Sequence, residues 1–328
     1  MSTTTATPPA TTRNRRPTPS PRPWGRLVLL AAVVLALAAV PFLVGPYGQQ
    51  VGYRVLQLAA LAVAWNLVAG YTGMVSLGSA AFVGLGAYAA TEIANRTGAP
   101  LPVMMLAGAV VAAVFAVVVS PAMFRLSGLY FTVGTLALAS ALQILVINLD
   151  TFGGASGLIV DVTTPPDYVL YWTILAVAVA CTVVVMVLMA TPASLSLRAI
   201  RDDEATARQM GVVTFRTKLW VFALSGAMIG VVGAIQSTRL GVVEPYGTFG
   251  LNWTIMILAA TIIGGLGTQA GPWVGAVLYV LLAEALKDYP EIHIAITGAV
   301  LVLVIRFAPN GIWGALVHQL GRRTGANR

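Results

Sequence analysis

Ten apolar stretches, each long enough or nearly long enough to cross a bilayer, run from Leu27 to Phe307. About 20 apolar residues rising 1.5 Å each span the roughly 30 Å hydrocarbon layer, so the chain reads as an integral membrane protein. The expected spans are 27–44, 51–69, 78–95, 101–119, 128–148, 168–190, 218–237, 251–266, 271–286 and 291–308. The fold class is therefore all-α, a polytopic bundle of about ten transmembrane helices. Function has to be sought in what passes through such a bundle or couples to it.

Of 328 residues, 58% are hydrophobic and 9% charged, too apolar for a soluble domain of ordinary surface chemistry. Residues 1–26, rich in Thr, Pro and Arg, are expected as a disordered basic cytoplasmic tail, 27–308 as the transmembrane domain and 309–328 as a short cytoplasmic tail. Ala36-Leu37-Ala38 resembles a signal-peptidase site, but the apolar run continues past it, which favours an uncleaved first helix. The net charge of +8 does not point to nucleic acid, because the basic residues sit beside apolar spans. With the N-terminus inside, inner connections hold 15 Lys and Arg and outer ones hold four, Arg54, Arg96, Arg239 and Lys287. That asymmetry places both termini in the cytoplasm.

The outer connections 149–167 and 238–250 carry Asp150, Asp161, Asp167 and Glu244 and suit either a docking partner or a solvated acidic rim. The inner connection 191–217 has a different character. Thr191-Pro192 stops the preceding span, and Arg201-Asp202-Asp203-Glu204-Ala205-Thr206-Ala207-Arg208-Gln209-Met210-Gly211 follows. Asp202 or Asp203 can cap a short helix, Gly211 can close it, and Glu204 and Arg208 stand at i,i+4.

Two apolar regions are broken by glycine in a related way. One holds Gly70, Gly73, Ser76, Gly78 and Ser79, the other Gly264, Gly265 and Gly267, and each is followed by Gly-x-x-x-Tyr at Gly84/Tyr88 and Gly275/Tyr279. Interrupted segments in two halves of a transporter point to its central pathway, where freed backbone faces solute. For any one glycine, close helix packing is the competing explanation. The role expected of these eight residues is close backbone approach and hydrogen bonding, not chemistry.

Other classes fit poorly. No Asp or Glu lies mid-span, which disfavours a carboxylate relay. Neither Lys218 nor Lys287 stands in a Gly-Lys-Ser/Thr phosphate loop, so any ATPase belongs to another subunit. No His-Glu-x-x-His motif occurs, Ser76 and Ser79 have no evident base, and Cys181 is alone, so neither catalytic residues nor a metal site is expected.

In order along the chain, Gly70-Tyr71-Thr72-Gly73, Ser76-Leu77-Gly78, Leu126-Ser127-Gly128-Leu129-Tyr130-Phe131, Gly153-Gly154-Ala155-Ser156-Gly157-Leu158, the Arg201 to Gly211 loop, Gly264-Gly265-Leu266-Gly267 with Gly271-Pro272, and Phe307-Ala308-Pro309-Asn310-Gly311 resemble the LivM-type permease branch of the branched-chain amino acid ABC importers. The resemblance covers most of residues 50–315. It implies a permease in a prokaryotic cytoplasmic membrane, working with a second permease subunit, ABC ATPase subunits that bind ATP and Mg, and an extracytoplasmic substrate-binding protein. It also implies that Arg201, Asp202, Asp203, Glu204, Ala205, Ala207, Arg208 and Gly211 form the coupling loop that docks on an ATPase. Gly211 stands seven positions after Glu204 and Thr206 interrupts the alanines, a departure from the Glu-Ala-Ala-x-x-x-Gly form. Ser79 stands where the family often has His, which leaves the solute open among branched-chain amino acids, urea and short amides. The remaining alternative is an ATP-independent secondary transporter or channel for a small polar solute.

Overall fold

The computed structural model describes residues 35–41, 44–161, 164–288, 296, 298–303, 306 and 311–315. The chain divides into two units, Met1–Ala39, of which 35–39 are described and helical, and Val40–Arg328. The predicted tail at 1–26 and most of the spans 27–44 and 291–308 lie outside the described residues.

The second unit contains the helices α1 (Pro46–Thr72), α2 (Ser79–Thr97), α3 (Leu101–Met123), α4 (Leu129–Ile147), α5 (Asp167–Ala190), α6 (Ala193–Asp202), α7 (Glu204–Gln209), α8 (Thr214–Leu240), α9 (Pro245–Thr248), α10 (Leu251–Gly264) and α11 (Gly271–Ala285). Six stretches among the described residues are long and apolar enough to cross a membrane: α1, α3, α4, α5, α8 and the run Pro245–Gly264. Helix α2 also matches its expected span, though Glu92, Asn95 and Arg96 dilute its apolar character. It needs less apolar surface because most of its residues are buried against other helices. Helix α11 spans only 15 residues, short of the ~20 a full crossing needs.

Burial separates a centre from a periphery. Helix α1 is buried almost throughout, whereas α3 and α4 leave most of their apolar side chains exposed, as lipid-facing helices do. Helix α8 packs most extensively on α3 and α2. There Gly86, Gly108 and Gly230 meet: a Cβ at Gly230 would lie 2.5 Å from the Gly108 carbonyl oxygen, and one at Gly86 would overlap the Gly230 carbonyl. Three backbones thus touch directly, the packing that small residues allow in lipid. Helices α10 and α11 do the same, since side chains at Gly264 and Gly275 would overlap the carbonyls of Gly271 and Ala260.

The connections expected on one side of the membrane gather at one end of these helices. At one end, residues 158–159 and 242–243 pair as a two-residue antiparallel ribbon, Leu158 with Val243 and Ile159 with Val242. The Asn95 side chain clasps this ribbon, donating to the Ile159 carbonyl at 2.8 Å and accepting from the Asp161 amide at 2.9 Å. The other end carries residues 73–78, 124–128, 191–213 and 265–270.

Residues 309–328, expected as a tail, contribute a described helical stretch at 311–315. Gly311 is buried there, and a Cβ on it would overlap the Gly265 backbone.

Candidate functional site

The last carbonyls of α1 have no intrahelical donor and carry the negative end of its dipole. Gly73 ends the helix with φ 75°, a left-handed value that costs an ordinary residue energy, and returns its N–H to the Ala69 carbonyl at 3.2 Å. The Gly70 carbonyl is taken instead by the Arg201 guanidinium, Nη1 to O 2.7 Å, reaching over from the end of α6. A cation is the favourable partner at that position.

From Gly73 the chain runs irregularly to Gly78, and its backbone groups are satisfied by side chains. Trp65 Nε1 donates to the Ser76 carbonyl at 2.7 Å, Thr132 Oγ1 to Val75 at 2.8 Å and Thr254 Oγ1 to Leu77 at 3.1 Å. The Leu77 and Ala80 amides donate to Thr135 and Thr254, and the Gly78 amide to the buried Ser76 hydroxyl. This break is an internally sealed connection between α1 and α2, at the end that bears residues 191–213, rather than an interruption halfway along a span. Ser79 is buried at the first turn of α2, and a Cβ at Gly78 would lie 2.9 Å from the Thr135 carbonyl.

The second break, residues 265–270 between α10 and α11, is tied to the first through Asn66. Its carbonyl accepts the Gly267 amide at 2.8 Å and its amino group donates to the Thr268 carbonyl at 2.9 Å. A Cβ at Gly267 would stand 2.7 Å from Arg201 Nη1 and 3.0 Å from the Gly70 carbonyl. Gly70, Gly73 and Gly267 therefore converge on Arg201, so both glycine breaks and the 191–217 connection share one polar node. Gly264 and Gly265 are buried behind it, against α11 and Gly311.

Within that connection the structure resolves two helices where the sequence suggested one. Helix α6 holds Leu197 and Ile200 inward, and α7 begins at Glu204, capped by Asp203 rather than Asp202. Asp203 Oδ1 accepts the Thr206 amide at 2.7 Å, and this hydrogen bond holds the carboxyl below the usual carboxylate range. At the far end the Gly211 amide bonds to Arg208 and the Val212 amide to Ala207, both at 3.1 Å, with Gly211 at φ 87°. These two bonds complete the glycine-closed helix end anticipated at Gly211. Ala207 is buried, while Asp202, Ala205 and Arg208 are exposed.

Glu204 forms the expected pair with Arg208, 3.2 Å, and a shorter one with Lys218 at the base of α8. Burial alone would raise its pKa, but the hydrogen bond and charge of Lys218, then those of Arg208, hold the carboxyl below its ordinary value. Lys218 is buried, with its ammonium 5.9 Å from the Phe124 ring centroid. A cavity of about 410 Å³, lined by Gly73, Phe124, Gly128, Thr132, Arg201 and Lys218, joins this pair to the glycine node.

Asn66, Lys218 and the three threonines were not among the residues singled out from the sequence. Only Asn66 and Lys218 carried a signal, an amide inside an apolar run and a lysine at the start of a span. Among the described residues no group of His, Cys, Asp and Glu could hold a metal ion.

Residues 50–305 match the family described as branched-chain amino acid transport system / permease component. The chain is 27% identical over 335 residues to the high-affinity branched-chain amino acid transport system permease protein LivM of Escherichia coli (strain K12), covering 92% of this chain and 78% of that one. LivM of Salmonella typhimurium is 28% identical over the same share of this chain and 77% of its own. The permease protein LivH of Escherichia coli (strain K12) is 31% identical over 120 residues, 36% of this chain and 38% of that relative. No solved structure gives a significant match.

Proposed function

The chain belongs to the branched-chain amino acid transport permease family, and from that premise we propose that it is the LivM-type membrane subunit of an ATP-driven importer of leucine, isoleucine and valine. ATP and Mg act in separate ATPase subunits, a second permease completes the membrane part, and an extracytoplasmic binding protein delivers the solute. Both termini and the 191–217 connection face the cytoplasm, a reading supported by the 15-to-4 distribution of Lys and Arg.

The observation that carries the mechanism is the convergence of Arg201 with both glycine breaks. Arg201, Asp202, Asp203, Glu204, Ala205, Ala207, Arg208 and Gly211 form the segment an ATPase moves. Helix α7, stiffened by its two caps, passes a displacement to α8 through Glu204–Lys218 and to the ends of α1 and α10 through Arg201. Gly70, Gly73, Ser76, Gly78, Ser79, Gly264, Gly265 and Gly267 are the parts of the pathway whose shape that displacement alters.

The test is uptake by the complete transporter in proteoliposomes, with ATP inside and the binding protein outside. Labelled leucine should enter only with hydrolysable ATP, and Arg201→Ala should abolish entry while the complex still purifies intact. Leucine entry without ATP would overturn the ATP-driven reading, and entry of urea or a short amide in place of leucine would overturn the substrate.

A further inference from the structure

A second cavity, of about 600 Å³, opens at the end of α1, α8, α10 and α11 away from the Arg201 node. It reaches from Gln50 down to Leu61, which lies roughly 22 Å along α1 from Pro46 at 1.5 Å per residue. Gln57 of α1 and Gln236 of α8 meet in its wall, Nε2 to Oε1 2.7 Å, both more than nine-tenths buried. One hydrogen bond uses only part of what two amides can make. The Gln57 carbonyl oxygen and the Gln236 amino group retain capacity toward the cavity both residues line. Polar side chains this far along apolar helices are costly and are, by default, functional.

Charges of both signs line the same space. Arg239 sits one turn beyond Gln236, stacked on Tyr53 with its guanidinium carbon 4.2 Å from the ring centroid, and has no carboxylate partner among the described residues. Asp167, in the first turn of α5, lines it too and pairs with no cation among them. Arg54 is engaged by Glu284 at 3.5 Å. Leu58, Leu61, Met256 and Val280 supply an apolar wall. An unpaired cation, an unpaired carboxylate, amides with spare capacity and an aliphatic surface complement a zwitterion with an aliphatic side chain.

We propose that this cavity is a reception site for a free aliphatic α-amino acid inside this chain, with the carboxylate at Arg239, the ammonium at Asp167 and the Gln57 carbonyl, and the side chain on Leu58, Leu61, Met256 and Val280. The assignment rests on the amino acid importer reading and names where in this subunit the solute is held. An anionic lipid headgroup would satisfy Arg239 but would meet Asp167 as a repulsion.

Cysteine protection in the complete transporter tests it. With Cys181→Ser removing the native thiol, Met256→Cys, or Ala283→Cys if the first variant does not assemble, is labelled by a small polar methanethiosulfonate reagent. Leucine should slow labelling by 1 + [L]/Kd, roughly tenfold at ten times its dissociation constant. 4-Methylpentanoate, lacking the ammonium, and isopentylamine, lacking the carboxylate, should protect far less, and Gln57→Leu or Asp167→Asn should remove the protection by leucine. Unprotected labelling in vesicles that still import leucine overturns the site and leaves the importer reading intact. Unprotected labelling in vesicles that import no leucine removes both. Protection by a short-chain phosphatidylglycerol and not by leucine also overturns it, assigning the cavity to lipid.

Discussion

Gly211 and Gly267 both hold left-handed backbone, but only Gly267 also lacks room for a side chain. Nothing stands within 4 Å of a Cβ built on Gly211, so the obstacle is its backbone at φ 87°. A β-branched residue there costs about 1–2 kcal/mol, whereas Asn tolerates the left-handed region. Gly211→Val should therefore lose most solute-stimulated ATP hydrolysis in the reconstituted transporter and Gly211→Asn should keep it; equal activity of the two would reject the capping argument. At Gly267 the backbone is likewise left-handed, φ 74°, and in addition Arg201 Nη1 would stand 2.7 Å from a Cβ. Gly267→Ala should displace the guanidinium and cut uptake, and adding Arg201→Ala to it should do little more damage, because the two substitutions remove one contact. Additive losses in that double-mutant cycle would separate the two residues. Gly211 was legible in the sequence because its cap at Asp203 lies eight positions away. Gly267 was legible only as a glycine, since the arginine and the asparagine that define it come from helices far away in sequence, and no local pattern encodes that meeting.

Among the elements, α7 and α8 are joined by a pair the sequence did not reveal. Lys218 is 9% exposed at its side chain and Glu204 is 35% exposed, so the lysine bears most of the desolvation. Leaving a buried charge without its partner costs about 3–5 kcal/mol in a closed interior, and less here because solvent reaches Glu204. Glu204→Gln should lower the thermal unfolding temperature of the complex. Adding Lys218→Met should restore much of that stability without restoring coupled transport, so full recovery of uptake in the double variant would show that the pair does not transmit. The carboxyl of Glu204 is held below its ordinary value, so its contribution is complete above the unfolded pKa of roughly 4.3 and disappears as pH falls through the lower folded value. Spin labels at Gln209 and Trp220 should keep their separation from pH 8 to pH 5 and part only in stronger acid; separation near pH 6 would contradict the tether. Helix α6 escaped the sequence reading because it is only ten residues long, has no capping side chain at its start and keeps just Leu197 and Ile200 buried. The ends of α1 and α8 ran past their expected limits of 51–69 and 218–237 because polar residues such as Gln50, Thr72, Thr214 and Arg239 look like boundaries, whereas in the structure Thr72 donates to the Val68 carbonyl within α1 and Arg239 stacks on Tyr53.

At the scale of the whole molecule, charge and contact agree on how connections are grouped. Arg201, Arg208 and Lys218 lie with Gly73 and Phe124 around one end, and Arg54, Arg239 and Lys287 gather at the other with Glu284 and Tyr53. With that grouping and the basic excess of the first end, single cysteines at Arg13 and Arg322 should stay unlabelled by an impermeant reagent added outside intact cells and react once the membrane is opened. Labelling of either from outside would invert the topology. The direct contact of Gly86, Gly108 and Gly230 has a consequence for descent as well as for packing. Three helices that touch through their backbones have no slack in which a substitution can be absorbed. The outward faces of α3 and α4, which meet only lipid in this reading, can exchange one apolar residue for another almost freely. As such chains diverge, change should accumulate in stripes along the lipid-facing helices while those three glycines stay put, so that ancestry remains readable longest where the helices stand closest.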